Sequence, residues 1–208
     1  MNQALNVSKS VLEALSKHSI IPDVFPNTNS SLLPKTLLSV EYPGGLTVAM
    51  GNILPIDKTQ SAPKFQLLSL SNNDSTVIDT SSKYTLVLTD PDAPSRTEKK
   101  WSEYCHWIVT DLIAEHGGAG GNDLVTINSN DKNAKTIIDY LGPAPPRGTG
   151  SHRYIFCLFK GVPTKYNPSS DNKRANWGYG TPATGVEKWS KDNGLELVGV
   201  NFFFAENK

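Results

Sequence analysis

The stretch "TLVLTDPDAPS", residues 85 to 95, joins a strand-like run to a rigid acidic turn. Aliphatic and β-branched residues lead up to Asp90, a pattern typical of a buried strand. Proline holds its own φ at about −65° and keeps the residue before it extended, so Pro91 and Pro94 leave this turn little freedom. Such a turn is a costly way to end a strand, which makes Asp90 and Asp92 candidate site residues.

Similar strand-like runs occur along most of the chain. They are separated by clusters of Gly, Pro, Asn and Asp, and the chain contains 16 glycines and 14 prolines. Short strands joined by many turns predict a mainly β protein built as a sandwich of sheets. The expected strands are residues 37–42, 47–54, 64–70, 84–90, 103–112, 153–161 and 195–204.

Two helices are expected at the edges of this β core. Residues 8–18 carry an apolar stripe at helical spacing, Ser10 and Glu13 match a capping box, and Pro22 follows as a stop. A second capping box precedes residues 185–193, and a glycine ends that segment. The predicted helices are therefore peripheral, and one of them is N-terminal.

Composition excludes some classes of partner. Lys plus Arg and Asp plus Glu each number 20, so no overall field draws the chain to nucleic acid, and any charged ligand needs a local cluster. No apolar segment is typical of a secretion signal or a transmembrane span, so we expect a cytoplasmic protein. We expect one domain over 1–208, with an N-terminal arm and helix in 1–36 and the β core in 37–208. Cys105 and Cys157 lie in apolar runs and are expected to be buried thiols.

A histidine interrupts the apolar pattern of the strand "EYCHWIVTDL", residues 103–112. Alternation places Tyr104, His106 and Ile108 on one face and Trp107 on the other. A single strand histidine is more often a hydrogen-bonded core residue than a ligand-binding one. His106 becomes a candidate because other polar groups occur at strand ends nearby in the predicted sheet.

The stretch "GPAPPRGTGSHRYIF", residues 142–156, supplies those other groups. His152 and Tyr154 share one face of the strand, and Arg153, on the opposite face, is expected to be a structural ion-pair partner. Glycines such as Gly148 adopt positive φ readily and can direct backbone N–H groups at an anion. This stretch therefore predicts a loop and strand that together line a polar site.

Three chemistries fit an acid, two histidines and a glycine-rich loop near strand ends. Asp90, His106 and His152 would imitate a two-histidine, one-carboxylate metal site, although the chain has no HxD or HExxH spacing. A serine hydrolase lacks its GxSxG motif here, and the side chains of Ser151 and His152 point apart on a strand. The third is a non-catalytic anion site, in which imidazole and backbone N–H groups hold a phosphate and the acidic turn receives an ammonium.

The segments "DPDAPS", "CHWIV" and "GPAPPRGTGSHRY" closely resemble the signature stretches of the phosphatidylethanolamine-binding protein family. The resemblance covers roughly residues 37–205. It implies an antiparallel β-sandwich and a small non-catalytic pocket, without metal or cofactor, for phosphate- or sulfate-type anions and phospholipid head groups. Together with Gly148 of the loop, the expected ligand-binding residues are Asp90, Asp92, Tyr104, His106, Ala144, Pro145, Pro146, His152 and Tyr154.

Other segments are similar to a fungal branch of this family. "MNQA", "NWGYGTPATGV" and "NFFFAE" carry this similarity. That branch includes inhibitors of serine carboxypeptidases that act through an acetylated N-terminus. The resemblance therefore implies an alternative function in which Met1, Asn2 and Gln3 enter a protease. A third alternative, by family analogy, is regulation of signalling kinases or small GTPase pathways.

Overall fold

The computed structural model describes residues 2–26, 36–69, 78–116, 125–127, 131–165, 168 and 173–208. Its helices are α1 (Asn2–Lys17), α2 (Ile20–Asp23) and α3 (Val186–Asp192). Its strands are β1 (Thr36–Tyr42), β2 (Leu46–Val48), β3 (Asn52–Ile53), β4 (Lys64–Ser69), β5 (Lys83–Asp90), β6 (Tyr104–His116), β7 (Val125–Ile127), β8 (Lys135–Ile138), β9 (Ser151–Lys160) and β10 (Glu196–Glu206).

The strands form two sheets, as the sandwich prediction requires. A three-stranded sheet has the order β2-β1-β4, and a seven-stranded sheet has the order β3-β10-β9-β5-β6-β7, with β8 also paired to β6. Strand β3 runs parallel to β10, and the other pairs are antiparallel. Strands β5, β6 and β9 are neighbours in the large sheet, so the three predicted polar segments meet on one sheet.

Apolar side chains fill two layers on opposite faces of the large sheet. The inner core lies between the sheets, where Phe65 of β4 packs with Leu86 of β5. The outer core lies beneath the helices, where Leu15 of α1 and Trp189 of α3 pack with Val87 of β5. Complete burial of one such side chain contributes about 1.5–3 kcal/mol. Both faces of β5 are therefore covered, which fixes the position of the acidic turn that follows it.

The structure differs from the predicted elements at several boundaries. Helix α1 begins at Asn2, so Ser10 lies inside it and is not its N-cap residue. The N-cap of α3 is Gly185, which has no side chain to form a capping hydrogen bond, so the box expected at Thr184 does not form. The predicted strand 47–54 is divided into β2 and β3 by a turn. Strands β7 and β8 had not been predicted, and residue 70 lies outside the described residues.

A bulge in β6 changes the predicted faces of that strand. Thr89 pairs with Cys105 and Leu88 pairs with Trp107, so His106 is the extra residue of the bulge. Trp107 therefore packs in the inner core. Simple alternation along the strand would instead place Trp107 and His106 on opposite faces of the sheet. Both cysteines are buried and free, as expected, and burial raises the pKa of each thiol.

One buried acid lies under the outer face of the sheet. Glu103 precedes β6 and has 2% of its surface exposed. The Thr89 hydroxyl donates to Oε2 of Glu103 over 3.0 Å, and the backbone N–H of Val186, the first residue of α3, also donates to this carboxyl. The indole Nε1–H of Trp177 donates to Thr89 Oγ1 over 3.0 Å. Burial is the main cause that raises the pKa of Glu103 to about 8.

None of the helices in the described ranges is long and apolar enough to cross a bilayer.

Candidate functional site

A cavity of about 190 Å³ opens where β5, β6 and β9 meet the loop before β9. Its walls combine charged, aromatic and small apolar side chains. The lining residues are Asp90, Ala93, Pro94, Trp101, Tyr104, His106, Leu141, Ala144, Pro146, His152 and Tyr154. The family resemblance predicts seven of these residues as ligand-binding, and the structure brings all seven together around one cavity.

The rigid acidic turn holds Asp90 in position at the base of the cavity. Asp90 is 3% exposed, and its Oδ1 accepts the backbone N–H of Asp92 over 2.7 Å. Its Oδ2 lies 2.9 Å from Nδ1 of His152, which is 1% exposed. Tyr154 also hydrogen-bonds the Asp90 carboxyl. The turn thus fixes the carboxylate, and the carboxylate orients both side chains contributed by β9.

The Thr149 hydroxyl determines which protons His152 carries. Thr149 Oγ1 lies 2.7 Å from the carbonyl oxygen of Pro146 and 3.0 Å from Nε2 of His152. A carbonyl can only accept, so the single hydroxyl proton of Thr149 points to Pro146, and Nε2 must donate to Oγ1. Nδ1 of His152 faces the Asp90 carboxyl over 2.9 Å, so the protein engages both ring nitrogens.

The same proton positions bear on the hydrolase alternative. A hydroxyl nucleophile must donate its proton to an imidazole base, whereas here the imidazole donates to Thr149. Nδ1 of His152 contacts Asp90 and Nε2 contacts Thr149, so neither ring nitrogen is paired with Ser151. Among the described residues, no group of three or more His, Cys, Asp or Glu side chains is placed to hold a metal ion.

His106 presents the opposite chemistry to the cavity. Its Nδ1 lies 2.7 Å from the carbonyl oxygen of Leu141, so Nδ1 carries the proton of that hydrogen bond. Burial lowers the pKa of His106, so the ring is neutral near pH 7 and its Nε2 is an acceptor. We expected His106 to donate an N–H to an anion. The structure instead leaves its Nε2 able to accept a hydrogen bond from a ligand.

Aromatic rings build the wall between the two histidines. The Tyr154 ring meets His106 edge to face, with centroids 5.2 Å apart, and stacks on Phe203 of β10 at 5.3 Å. Tyr104 lies 5.3 Å from His106 on the other side. Burial, followed by the negative charge of Asp90, raises the pKa of Tyr154. Its hydroxyl therefore remains a neutral donor to Asp90.

Asp92 does not line the cavity but supports the turn from behind. It is fully buried and binds Arg153, with Oδ2 accepting Nε–H over 2.8 Å and Oδ1 accepting Nη2–H over 2.6 Å. Arg153, also fully buried, donates Nη1–H to the carbonyls of His18 and Ser19 over 3.0 and 2.9 Å. Its Nη2 reaches Asp23 over 2.8 Å. The predicted ion-pair role of Arg153 is confirmed, and this guanidinium joins the turn to the segment that follows α1.

The other predicted site residues have different positions. In the loop before β9, Ala144 and Pro146 are exposed and line the cavity, while Pro145 between them is buried and faces away. Gly148 has φ of 76° and is not among the described lining residues. Of the predicted inhibitory segment, Met1 lies outside the described residues, and 2–3 form the start of the α1 backbone.

Four lining residues were missed by sequence reasoning: Ala93, Pro94, Trp101 and Leu141. Ala93 and Pro94 belong to the quoted turn, so the turn itself was a signal for them. Trp101 stands in the polar stretch "EKKWSEY", where a large apolar residue outside any strand is a weak signal of a surface role. Leu141 carries no such signal, because its place depends on the hydrogen bond to His106.

Comparison with known proteins identifies the family. A sequence profile of phosphatidylethanolamine-binding protein matches residues 45–204. The chain belongs to the phosphatidylethanolamine-binding protein family. Carboxypeptidase Y inhibitor of Saccharomyces cerevisiae is 44% identical over 223 aligned residues, which cover 100% of both chains. An uncharacterized protein of the same yeast is 38% identical over 204 residues, covering 97% of this chain and 96% of that protein.

Solved structures agree with this membership. The crystal structure of carboxypeptidase Y inhibitor complexed with its cognate proteinase matches with a TM-score of 0.84 and 43% identity, covering 100% of both chains. A phosphatidylethanolamine-binding protein from Plasmodium vivax matches with a TM-score of 0.70 and 25% identity, covering 94% of this chain and 97% of that one. The two-sheet fold described above is thus that of the phosphatidylethanolamine-binding proteins, and the recognition made from the three motifs is confirmed.

Proposed function

We propose that this phosphatidylethanolamine-binding protein is a non-catalytic regulatory protein whose cavity binds small phosphate-type ligands, including phospholipid head groups. The observation that carries the proposal is the pairing of opposite chemistries in one cavity. The His152 ring lies on the side of the cavity that we assign to a phosphate, while Asp90 and the acceptor Nε2 of His106 suit an ammonium. A phosphorylethanolamine group carries both of these partners on one small molecule.

Calorimetric titration with phosphorylethanolamine, inorganic phosphate and ethanolamine tests this proposal. His152→Gln removes the ring that holds the Asp90 carboxyl in place, so it should weaken phosphorylethanolamine binding roughly tenfold. His106→Phe should weaken the binding of ethanolamine-bearing ligands more than that of inorganic phosphate, because it removes the acceptor Nε2 from the cavity. His18→Gln, a histidine change outside the cavity, is the matched control. Equal affinities for all four proteins, or no binding of any ligand, would refute the proposal.

A second candidate function is inhibition of a serine carboxypeptidase through the N-terminus. The full-length similarity to carboxypeptidase Y inhibitor favours it, because the alignment includes the arm as well as the β core. We infer that the acetylated N-terminal residues enter the active site of the protease. Because α1 begins at Asn2, the segment that enters the protease in this proposal includes the first residues of the helix.

An inhibition assay on carboxypeptidase Y tests this second candidate. Acetylated full-length protein should inhibit hydrolysis of a peptide substrate, and a variant lacking Met1 to Leu5 should not. The cavity variant His152→Gln serves as a control for general damage, because its change lies outside the arm. If acetylated protein and truncated protein give the same rate as no added protein, the inhibitor assignment is wrong.

A further inference from the structure

One wall of the cavity comes from a stretch that belongs to no helix or strand. Trp101 lines the cavity together with Ala93 and Pro94 of the acidic turn, and 44% of its surface is exposed. We call residues 100–102, which lie shortly before β6, the wall segment. Neither ladder nor helical hydrogen bonds hold this segment, so the position of the Trp101 ring depends on contacts from other parts of the chain.

Asn176 binds three consecutive carbonyl groups of the wall segment. Its side-chain Nδ2 donates to the carbonyl oxygens of Lys100 and Ser102 over 3.0 and 2.8 Å. Its backbone N–H donates to the carbonyl oxygen of Trp101 over 3.1 Å. Asn176 thus uses its three N–H donors on one short stretch. Asn176 is 8% exposed, so these hydrogen bonds lie in a region of low dielectric, where they are strong.

The wall segment is also bound to the acidic turn. The backbone N–H of Trp101 donates to the carbonyl oxygen of Ala93 over 3.2 Å. The buried Ser102 hydroxyl donates to the carbonyl oxygen of Pro91 over 2.7 Å. Two hydrogen bonds to the turn and three to Asn176 therefore hold the segment that carries the Trp101 ring.

The backbone at Asn176 has an uncommon conformation. The φ angle is 52° at Asn176, 47° at Trp177 and 77° at Gly178, and successive non-glycine residues in this left-handed region are costly. Trp177 is fully buried, with its ring 5.1 Å from that of Trp189 and its Nε1–H bonded to Thr89. The turn therefore places the Trp177 ring in the outer core while the adjacent Asn176 side chain binds the wall segment. Backbone strain that the surrounding contacts maintain is typical of functional sites.

We propose that Asn176 is a positioning residue for ligand binding, which holds Trp101 against the cavity through the wall segment. Asn176 is not among the described lining residues and does not touch the ligand itself. This inference deepens the proposed function and rests on it for the identity of the ligand. Without the Asn176 side chain, the ligand must order the wall as it binds. The apparent affinity then falls in proportion to the fraction of molecules in which the wall is already in place.

Asn176→Gly tests the role of this side chain in binding. Glycine keeps the backbone N–H and adopts positive φ readily, so only the two amide hydrogen bonds are lost. If the freed wall is in place about a tenth of the time, calorimetric affinity for phosphorylethanolamine should fall roughly tenfold. Asn193→Gly is the matched control, because the Asn193 side chain also binds three backbone groups, those of Thr164, Lys165 and Trp189, outside the cavity. It should leave the affinity unchanged.

Tryptophan fluorescence reports the wall segment without any ligand. Trp101 is half-exposed, whereas Trp107, Trp177 and Trp189 are at most 7% exposed. Asn176→Gly should add a fast component to the decay of tryptophan anisotropy, because the Trp101 ring gains local motion. Adding Trp101→Phe should remove that component. A purely structural role of Asn176 would lower the free energy of unfolding in urea but would add no such component.

Ser102→Ala tests the same segment through a different contact if Asn176→Gly does not fold. It removes the hydrogen bond to Pro91, so it should also weaken phosphorylethanolamine binding and add the fast component. Equal affinity of the unmodified protein and the folded variants would overturn the positioning role. A fast component that persists with Trp101→Phe would assign the motion to Trp177 and would overturn it too. If no protein binds phosphorylethanolamine but the Trp101 component appears, the positioning role stands and the head-group proposal fails.

Discussion

The buried acid Glu103 should make the stability of the protein fall as the pH rises. Its pKa is 4.5 in an unfolded chain and about 8 in the folded protein. The folded state therefore holds this proton more tightly, so its contribution to stability is complete below about pH 4.5 and is lost as the pH rises towards 8. Each pH unit between these values lowers the free energy of unfolding by about 1.4 kcal/mol. From about pH 4.5 to about pH 7 the loss is roughly 3 kcal/mol.

Glu103→Gln removes this titration and keeps the shape of the side chain. The amide oxygen can accept the Val186 N–H, and the amide nitrogen can donate to Thr89 Oγ1. The Thr89 hydroxyl can then turn to the carbonyl of Tyr104, which lies 3.4 Å from it. We therefore expect a folded variant whose stability, relative to the unmodified protein, increases by about 3 kcal/mol between about pH 4.5 and about pH 7.

Urea unfolding followed by fluorescence at several pH values measures this difference. The comparison of two proteins at each pH cancels the titration of all other groups. Glu41→Gln, a change at an exposed residue of β1, is the matched control for loss of one carboxyl. A difference between Glu103→Gln and the unmodified protein that stays constant over this range would show that Glu103 is ionised in the folded state, and the argument from burial would be wrong.

Two substitutions and one labelling experiment test other buried groups. Arg153→Met should lower the free energy of unfolding in urea by about 3–5 kcal/mol, because Asp92 is left buried without a counter-charge, and adding Asp92→Asn should recover part of the loss. Gly185→Ala should cost about 1–3 kcal/mol in the same assay, since its methyl group would overlap the carboxyl of Glu103, and the cost should shrink in a Glu103→Ala background. Both cysteines should resist an aromatic disulfide reagent at about pH 8 until urea unfolds the chain, because burial keeps them as inaccessible thiols.

The strands could be predicted because their signal is local. Branched and aromatic residues predict β1, β4, β5, β6, β9 and β10. They alternate with polar residues or form short runs, and turns rich in Gly and Pro separate them. Strand β8 is short and half-exposed, with its residues ranging from exposed to buried, so its pattern is too weak to predict. The start of α1 was missed because Ser10 and Glu13 match an N-terminal signal that is equally compatible with a helix interior.

The members of the site were predicted better than their chemistry. The motifs identified Asp90, His106 and His152, which the structure brings to one cavity. The proton positions depend on partners distant in the sequence: the Leu141 carbonyl for His106, and the Thr149 hydroxyl for His152. The bulge that directs His106 into the cavity also depends on pairing between β5 and β6. These features arise from tertiary contacts, so a pattern read along one segment does not contain them.

The Arg153 bridge has a consequence for how this protein can diverge. The guanidinium holds the end of α1 mainly through the backbone carbonyls of His18 and Ser19, which every amino acid possesses. The exposed side chains of α1 can therefore change during evolution, provided that Val11 and Leu15 stay apolar in the outer core, while the helix end keeps its place against the turn at Asp92. Two gene copies can thus acquire different N-terminal specificities on an unchanged core, and a chimera that exchanges residues 2–17 should place its new helix correctly provided that apolar side chains are kept at positions 11 and 15.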